Sequence, residues 1–266
     1  MVGLLSVRFA ALLFVACGSR TELDTPTPRT SGHAVSFADF GDDVFLSGLD
    51  ATPASGFTWD FWFQAAKLPT SAAIDLQAGA TMMVGADDQG CEDVYVGFGT
   101  EFTPANRLAF NLDGPAGCSD RDASPIDFAP PEGFVANRWY FVAASHDYAT
   151  GQSRLYLDGV LVASKTANVA PMPRALPITI GRWWDRIDTQ YAYNQFVGAI
   201  DELHVFARAL SDTEIASEHA CARVDGAIAG YHFDEGSGTS AADFEGSNPA
   251  SLEHDATWAP GGACGE

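Results

Sequence analysis

Hydrophobic and polar side chains alternate with period two along much of this chain. The run Phe57-Thr58-Trp59-Asp60-Phe61-Trp62-Phe63-Gln64 sets Phe57, Trp59, Phe61 and Phe63 on one face and Thr58, Asp60, Trp62 and Gln64 on the other, the signature of a strand with one face in a core. Four aromatics on one side imply burial between two layers. The same reading predicts strands at 33–37, 43–46, 81–86, 93–99, 107–112, 139–148, 153–158, 160–164, 178–181, 196–206, 226–236 and 251–258, most of them bounded by Gly, Pro, Asn or Asp. Asp158-Gly159, between two β-rich flanks, signals a two-residue hairpin, because a type I′ turn needs φ > 0 at both central positions. In 196–206 the alternation sets Asp201, Leu203 and Val205 on one side and Glu202, His204 and Phe206 on the other. Leu210 ends that strand. Ser211-Asp212-Thr213-Glu214 then forms a capping box, which opens a short helix near 211–219. With no long helical periodicity anywhere, the chain reads as all-β, an antiparallel two-sheet sandwich.

Composition supports one unit of that kind over two small ones. A hydrophobic fraction of 47%, with 18 Phe, 7 Tyr and 6 Trp, is enough to fill a core between sheets. The strands at 226–236 and 251–258 cannot bury a core alone, so they are expected to join the sandwich edges and bring the chain's end beside its start. The expected organisation is a signal segment at 1–17, a flexible tether at 18–31 and one domain at 32–266. A formal charge of −21 repels phosphate backbones, which excludes nucleic acid as a partner and leaves divalent cations as the better candidates.

The N-terminus reads as a targeting segment. Arg8 precedes the apolar run 9–16, and Phe14-Val15-Ala16-Cys17 places a small residue before Cys, as in a bacterial lipoprotein signal. Lipidation of Cys17 is the expectation, followed by a polar, Pro-containing tether. Gly18 gives no inner-membrane retention signal by resemblance to lipoproteins, which points to an outer-membrane or cell-surface position with the membrane met only through the lipid. No other run approaches the ~18 apolar residues of a membrane span. Cys91, Cys118, Cys221 and Cys264 remain, an even number in an exported chain, and read as disulfides. Of the three pairings open to them, Cys91–Cys118 and Cys221–Cys264 are favoured. No CxxC or HxxxH spacing accompanies these cysteines to suggest zinc.

Several stretches, taken in order, resemble one family. SFADFGDDVFL is similar to an opening SFDGxDDYV strand pair, FTWDFWFQ to FTxxxWV, and RWYFVAASHDYATGQSRLYLDGVLVAS to WxxVAxxYDxxxGxLxLYVDGxxVA. PITIGR, GAIDELHVFARALSDTEI and YHFDEGSGTSAADFEGSNPASL follow. Together, over 32–258, they resemble the LamG-like jelly rolls of the concanavalin A-like lectin and glucanase superfamily. The resemblance implies a jelly-roll sandwich and a binding role. It also implies a structural calcium (Ca2+) between the opening acidic turn and an Asp of the last long strand. Asp201 matches that Asp; Asp39, Asp42 and the Gly41 carbonyl are the turn's candidate ligands.

A second candidate comes from the residues themselves. Trp183, Trp184, Asp185 and Arg186, with Tyr191 and Tyr193 close behind, gather flat aromatic faces suited to the C–H surface of a sugar ring and polar groups for its hydroxyls. Against catalysis, retaining glucanases carry paired acids on an ExDxxE strand, and no such segment occurs; nor is there a GxSxG elbow or an HExxH pair. Asp201 and Glu202, as strand neighbours, are expected on opposite faces. The reading is a non-enzymatic, monomeric surface lipoprotein that binds carbohydrate. The alternatives are a protein-binding or adhesion module and, behind it, a divergent glycoside hydrolase.

Overall fold

The structure is a computed structural model that describes residues 29–38, 41–74, 81–86, 94–100, 103–114, 125–172, 175–182 and 195–264. Within them the elements follow as β1 (Arg29–Phe37), β2 (Asp43–Leu46), β3 (Phe57–Ala65), β4 (Thr81–Ala86), β5 (Val94–Phe98), β6 (Leu108–Leu112), β7 (Ile126–Phe128), β8 (Trp139–Asp147), β9 (Gln152–Leu157), β10 (Val160–Thr166), β11 (Ile178–Ile180), β12 (Gly198–Phe206), α1 (Asp212–His219), β13 (Ala227–Tyr231), β14 (Ser240–Ala241), β15 (Ala250–Glu253) and β16 (Thr257–Gly262). They form two antiparallel sheets of 8 strands each. The first runs β10-β9-β8-β3-β12-β1-β16 with β13 also on β12, and the second β14-β15-β2-β11-β4-β5-β6-β7. This is the jelly-roll sandwich the alternation and the resemblance imply. Among the described residues no helix is long and apolar enough to cross a membrane.

The core between the sheets takes Phe57, Trp59, Phe61 and Phe63 from β3, the face expected of them, against Phe98 and Phe110 of the opposite sheet. Trp59 Nε1 donates to the Ala51 carbonyl at 2.7 Å, which satisfies the one polar atom the ring buries. Asp158 and Gly159 turn β9 into β10 with φ of 48° and 74°, both left-handed as the hairpin requires. Ser211 caps α1: its hydroxyl accepts from the Glu214 amide, and the Glu214 carboxylate takes the Ser211 amide at 2.8 Å and Arg208 besides.

Three expectations change. The strand expected at 251–258 is a corner: His254, at φ 57°, splits it into β15 on the second sheet and β16 on the first. β7 and β14 were not anticipated, since 3 and 2 residues are too few to show an alternation.

The third change concerns the face of Asp201. Cα partners on β12 and β3 run Ile200↔Phe63, Asp201↔Trp62, then His204↔Asp60 and Val205↔Trp59. Between Asp201 and His204 the strand holds one residue more than its partner, with Glu202 at φ 50°. This is a bulge, and a bulge reverses the facing of everything beyond it. Ile200, Leu203 and Val205 face the core, while Asp201 stands with Trp62 on the outer face instead of beside Leu203 and Val205. Glu202 lines the same outer face, so the expected separation of Asp201 from Glu202 does not hold.

Candidate functional site

The aromatic loop's own residues, Trp183, Trp184, Asp185, Arg186, Tyr191 and Tyr193, lie outside the described residues, but its two feet are described. Arg182 leaves β11 buried, with Nη2 3.1 Å from Asp43 Oδ1; His254 Nδ1 meets that same oxygen at 2.7 Å. Gln195, where the chain returns, is also buried. Its Nε2 lies at 3.1, 3.1 and 3.0 Å from the carbonyls of Asp42, Gly181 and Phe196, and its Oε1 accepts from the Gly41 amide at 3.0 Å. Phe196 N donates to Gly181 O at 2.8 Å, closing the base of the loop. Gly181 is required there: φ is 97°, and a Cβ would stand 2.5 Å from the Phe37 ring. Asp42 and Gly41 thus belong to the loop's base, with Asp42 Oδ2 accepting from the Ala38 amide at 2.7 Å.

The structure does not bring Asp201 to that turn. Phe37 pairs with Gly198, three residues before Asp201 on β12, which sets the turn roughly 10 Å away along the strand. Asp201 Oδ2 accepts from the Ala263 amide at 2.7 Å, under the C-terminal segment. Burial, then the charges of Glu202 and Asp234, pushes its carboxyl well above the usual range. Asp201 therefore stands apart from the turn's described residues, Gly41 and Asp42, and Asp39 lies outside the described residues. Cys221 and Cys264 form a disulfide with Cα atoms 5.9 Å apart, as expected; Cys17, Cys91 and Cys118 lie outside the described residues.

A second constellation, which no local pattern in the sequence marks, lies on the outer face of the first sheet. Asp60 of β3 and His204 of β12 are cross-strand partners, and Glu218 of α1 reaches down to them. His204 Nδ1 lies 3.0 Å from Asp60 Oδ1 and 3.4 Å from Glu218 Oε2. The cluster opens on a cavity of about 160 Å³ walled by Trp62, Phe141, the Cys221–Cys264 disulfide and Phe244. His232 stacks on Phe244 at 3.8 Å between ring centres and bonds Glu202 at 2.7 Å. Burial pulls the His204 imidazole down, but the hydrogen bond and charge of Asp60, with Glu218 and Glu202, outweigh it and hold it up at about 9. Burial pushes the Glu218 carboxyl up to about 7. The strand alternation could have placed Asp60 off the core face; its meeting with His204 depends on register and on the bulge.

A family model, the concanavalin A-like lectin/glucanases superfamily model Laminin_G_3, matches residues 38–216. Among curated proteins none matches significantly. Of solved structures, a candidate carbohydrate-binding protein from Bacteroides ovatus superposes with a TM-score of 0.63 at 18% identity, covering 88% of this chain and 61% of that one. The chain thus spans less than two thirds of that protein's length. The heptameric SAP-like pentraxin of Limulus polyphemus gives 0.53 at 14% identity over 86% of this chain and 98% of that one. The receptor-binding domain of botulinum neurotoxin D gives 0.50 at 18% identity over 77% and 46%. At these identities the likeness is one of fold. The matched model spans more than half of the sequence and every strand from β2 to β12, so the chain belongs to the Laminin_G_3 family of the concanavalin A-like superfamily.

Proposed function

We propose that this chain is an exported, non-catalytic module that binds carbohydrate through the loop 183–194, held at the cell surface by a lipid on Cys17. The observation that supports this reading is the clamp under the loop: Gln195 ties both feet and the opening turn together through side-chain hydrogen bonds to four backbone groups. A loop rich in Trp and Tyr gains affinity when its base is held, because less ordering is left to the moment of binding. Trp183, Trp184, Tyr191 and Tyr193 supply the flat apolar faces and Asp185 and Arg186 the hydroxyl partners. The Bacteroides ovatus neighbour, itself described as a candidate carbohydrate binder, agrees with this reading.

A hydrolytic role has less support. A glycosidase needs two carboxyls facing a sugar in an open cleft. Here Asp60 is bonded to His204, Asp201 is covered by Ala263, and the cavity that Asp60 lines is smaller than the ~300 Å³ of an ordinary small-molecule site.

Glycan-array binding of the purified chain tests the proposal. Trp183→Ala and Trp184→Ala should each weaken binding by ten-fold or more with the melting temperature unchanged, and Gln195→Ala should weaken it through the loop's base. Absence of binding to any polysaccharide, or capture of a partner protein that sugars do not displace, would overturn it in favour of a protein-interaction module.

A further inference from the structure

The outer-face cluster has the makings of an ion site. Asp60 is fully buried, and its Oδ2 has no hydrogen-bond partner. A buried carboxylate oxygen left unmatched costs free energy that a cation would recover. His204 Nδ1 already stands between two carboxylate oxygens, at 3.0 and 3.4 Å. In a tetrahedral zinc site with bonds of 2.0–2.1 Å, neighbouring ligand atoms are about 3.3–3.4 Å apart. The ligand atoms of Asp60, His204 and Glu218 all lie within 4.8 Å of one another, so a shift of less than about 1.5 Å brings the third edge to that spacing.

We propose that Asp60, His204 and Glu218 bind one divalent cation of the zinc class, with its fourth position open to the adjoining cavity. The ion would replace the proton that His204 Nδ1 shares with Asp60, and that proton would leave to solvent. One imidazole with two carboxylates suits zinc or cobalt over calcium and magnesium, which take oxygen ligands alone. The ligands come from β3 and β12, which are paired, and from α1, whose end the Cys221–Cys264 bridge ties to the end of β16 beside the cavity, so only a small approach is left to the ion. Glu202, on the bulge, adds negative charge within reach of His204. The remaining acid–His cluster among the described residues, Asp43 with Glu253 and His254, is a poorer site, because the buried Arg182 guanidinium already sits on Asp43. Six of the residues around the cavity, Glu218, Cys221, Arg223, His232, Phe244 and Cys264, follow the span of the family model, so the site is a product of this chain's C-terminal segment folding over the family's sheet. The inference is independent of the glycan-binding reading and can fail without it.

Titration of the untagged, chelator-stripped chain with Zn2+ by calorimetry should show one ion per chain, undisplaced by a large excess of Ca2+. Co2+ in its place should give the visible absorption of a four-coordinate N/O site. His204→Gln and Glu218→Gln should each weaken Zn2+ binding by ten-fold or more, while His254→Gln leaves it unchanged. Glu218 is buried, but Gln matches it in shape and can still accept from the Val224 amide, so this variant reports even if His204→Gln does not fold. No Zn2+ uptake by the wild-type chain, uptake unaltered in Glu218→Gln, or uptake lost in His254→Gln would each overturn the proposal.

Discussion

His146 and His204 show how far a residue's chemistry depends on its neighbours. Both belong to the first sheet and both are buried, yet they are held in opposite states. His146 on β8 has a hydroxyl partner, Ser153 Oγ at 2.9 Å, and packs 4.5 Å from the Tyr148 ring, so burial drives its imidazole down to about 4 against only a weak upward pull from Asp147. His204, among carboxylates, is held up. The unfolded chain protonates His146 near 6.5, above the folded value, so the stability this residue contributes is full above about pH 6.5 and is lost as pH falls toward 4. Denaturant melts of the wild type and His146→Gln between pH 7.5 and 4.5 should show the wild type losing on the order of 2 kcal/mol more than the variant over that interval. An equal loss in both would refute the assignment. Nothing in the letters around His146 and His204 separates them; the difference lies in which strand pairs alongside.

At the scale of elements, the local signals that act within a few residues were legible. The aromatic face of β3, the Asp158-Gly159 hairpin and the Ser211–Glu214 capping box all appear where their patterns place them, because each rests on contacts between near neighbours. The bulge in β12 was not legible, since a residue with φ > 0 at Glu202 answers to its partner strands and not to its own side chain. The C-terminal corner belongs to the same class. The Cys221–Cys264 bridge closes 43 residues and ties the end of β16 to the end of α1. Chain-entropy reasoning gives it about 4 kcal/mol. Replacing both cysteines by Ser should lower unfolding free energy by about 2–4 kcal/mol. Hydrogen exchange should show the loss first in β13 and β16 and last in β3 and β8; uniform loosening across both sheets would contradict that order.

The whole molecule is a family sandwich completed from its C-terminus. The matched family model stops at residue 216, inside α1. Beyond it, β16 pairs with β1, β15 with β2 and β13 with β12, so both sheets end on strands from the last part of the chain. The same segment covers the outer face of β3, where Trp62 is 2% exposed and packs with Phe141, Ala263 and Cys264 in a second apolar cluster. A chain ended after Arg223 and carrying Cys221→Ser would bare this cluster and the unpaired edges of β1 and β2. It should bind a hydrophobic dye, lose its cooperative melt and self-associate in sedimentation; a stable monomer with a native melt would show that the segment is an accessory. Trp62, read from the alternation as facing away from the main core, is for this reason a packing residue.

Periodicity and turn chemistry suffice for the all-β class, most strand positions, the hairpin and the helix cap, because each is a local pattern; the cysteines left three pairings open, and the structure forms the favoured Cys221–Cys264. The Gln195 clamp between the loop's feet and the opening turn, the place of Asp201 under Ala263, and the convergence of Asp60, His204 and Glu218 come instead from how distant strands pack. Those three residues are 144 and 14 positions apart in sequence order. Their meeting is fixed by strand register and by one extra residue in β12, quantities set by the packing of both sheets at once and not written in any single stretch of the chain.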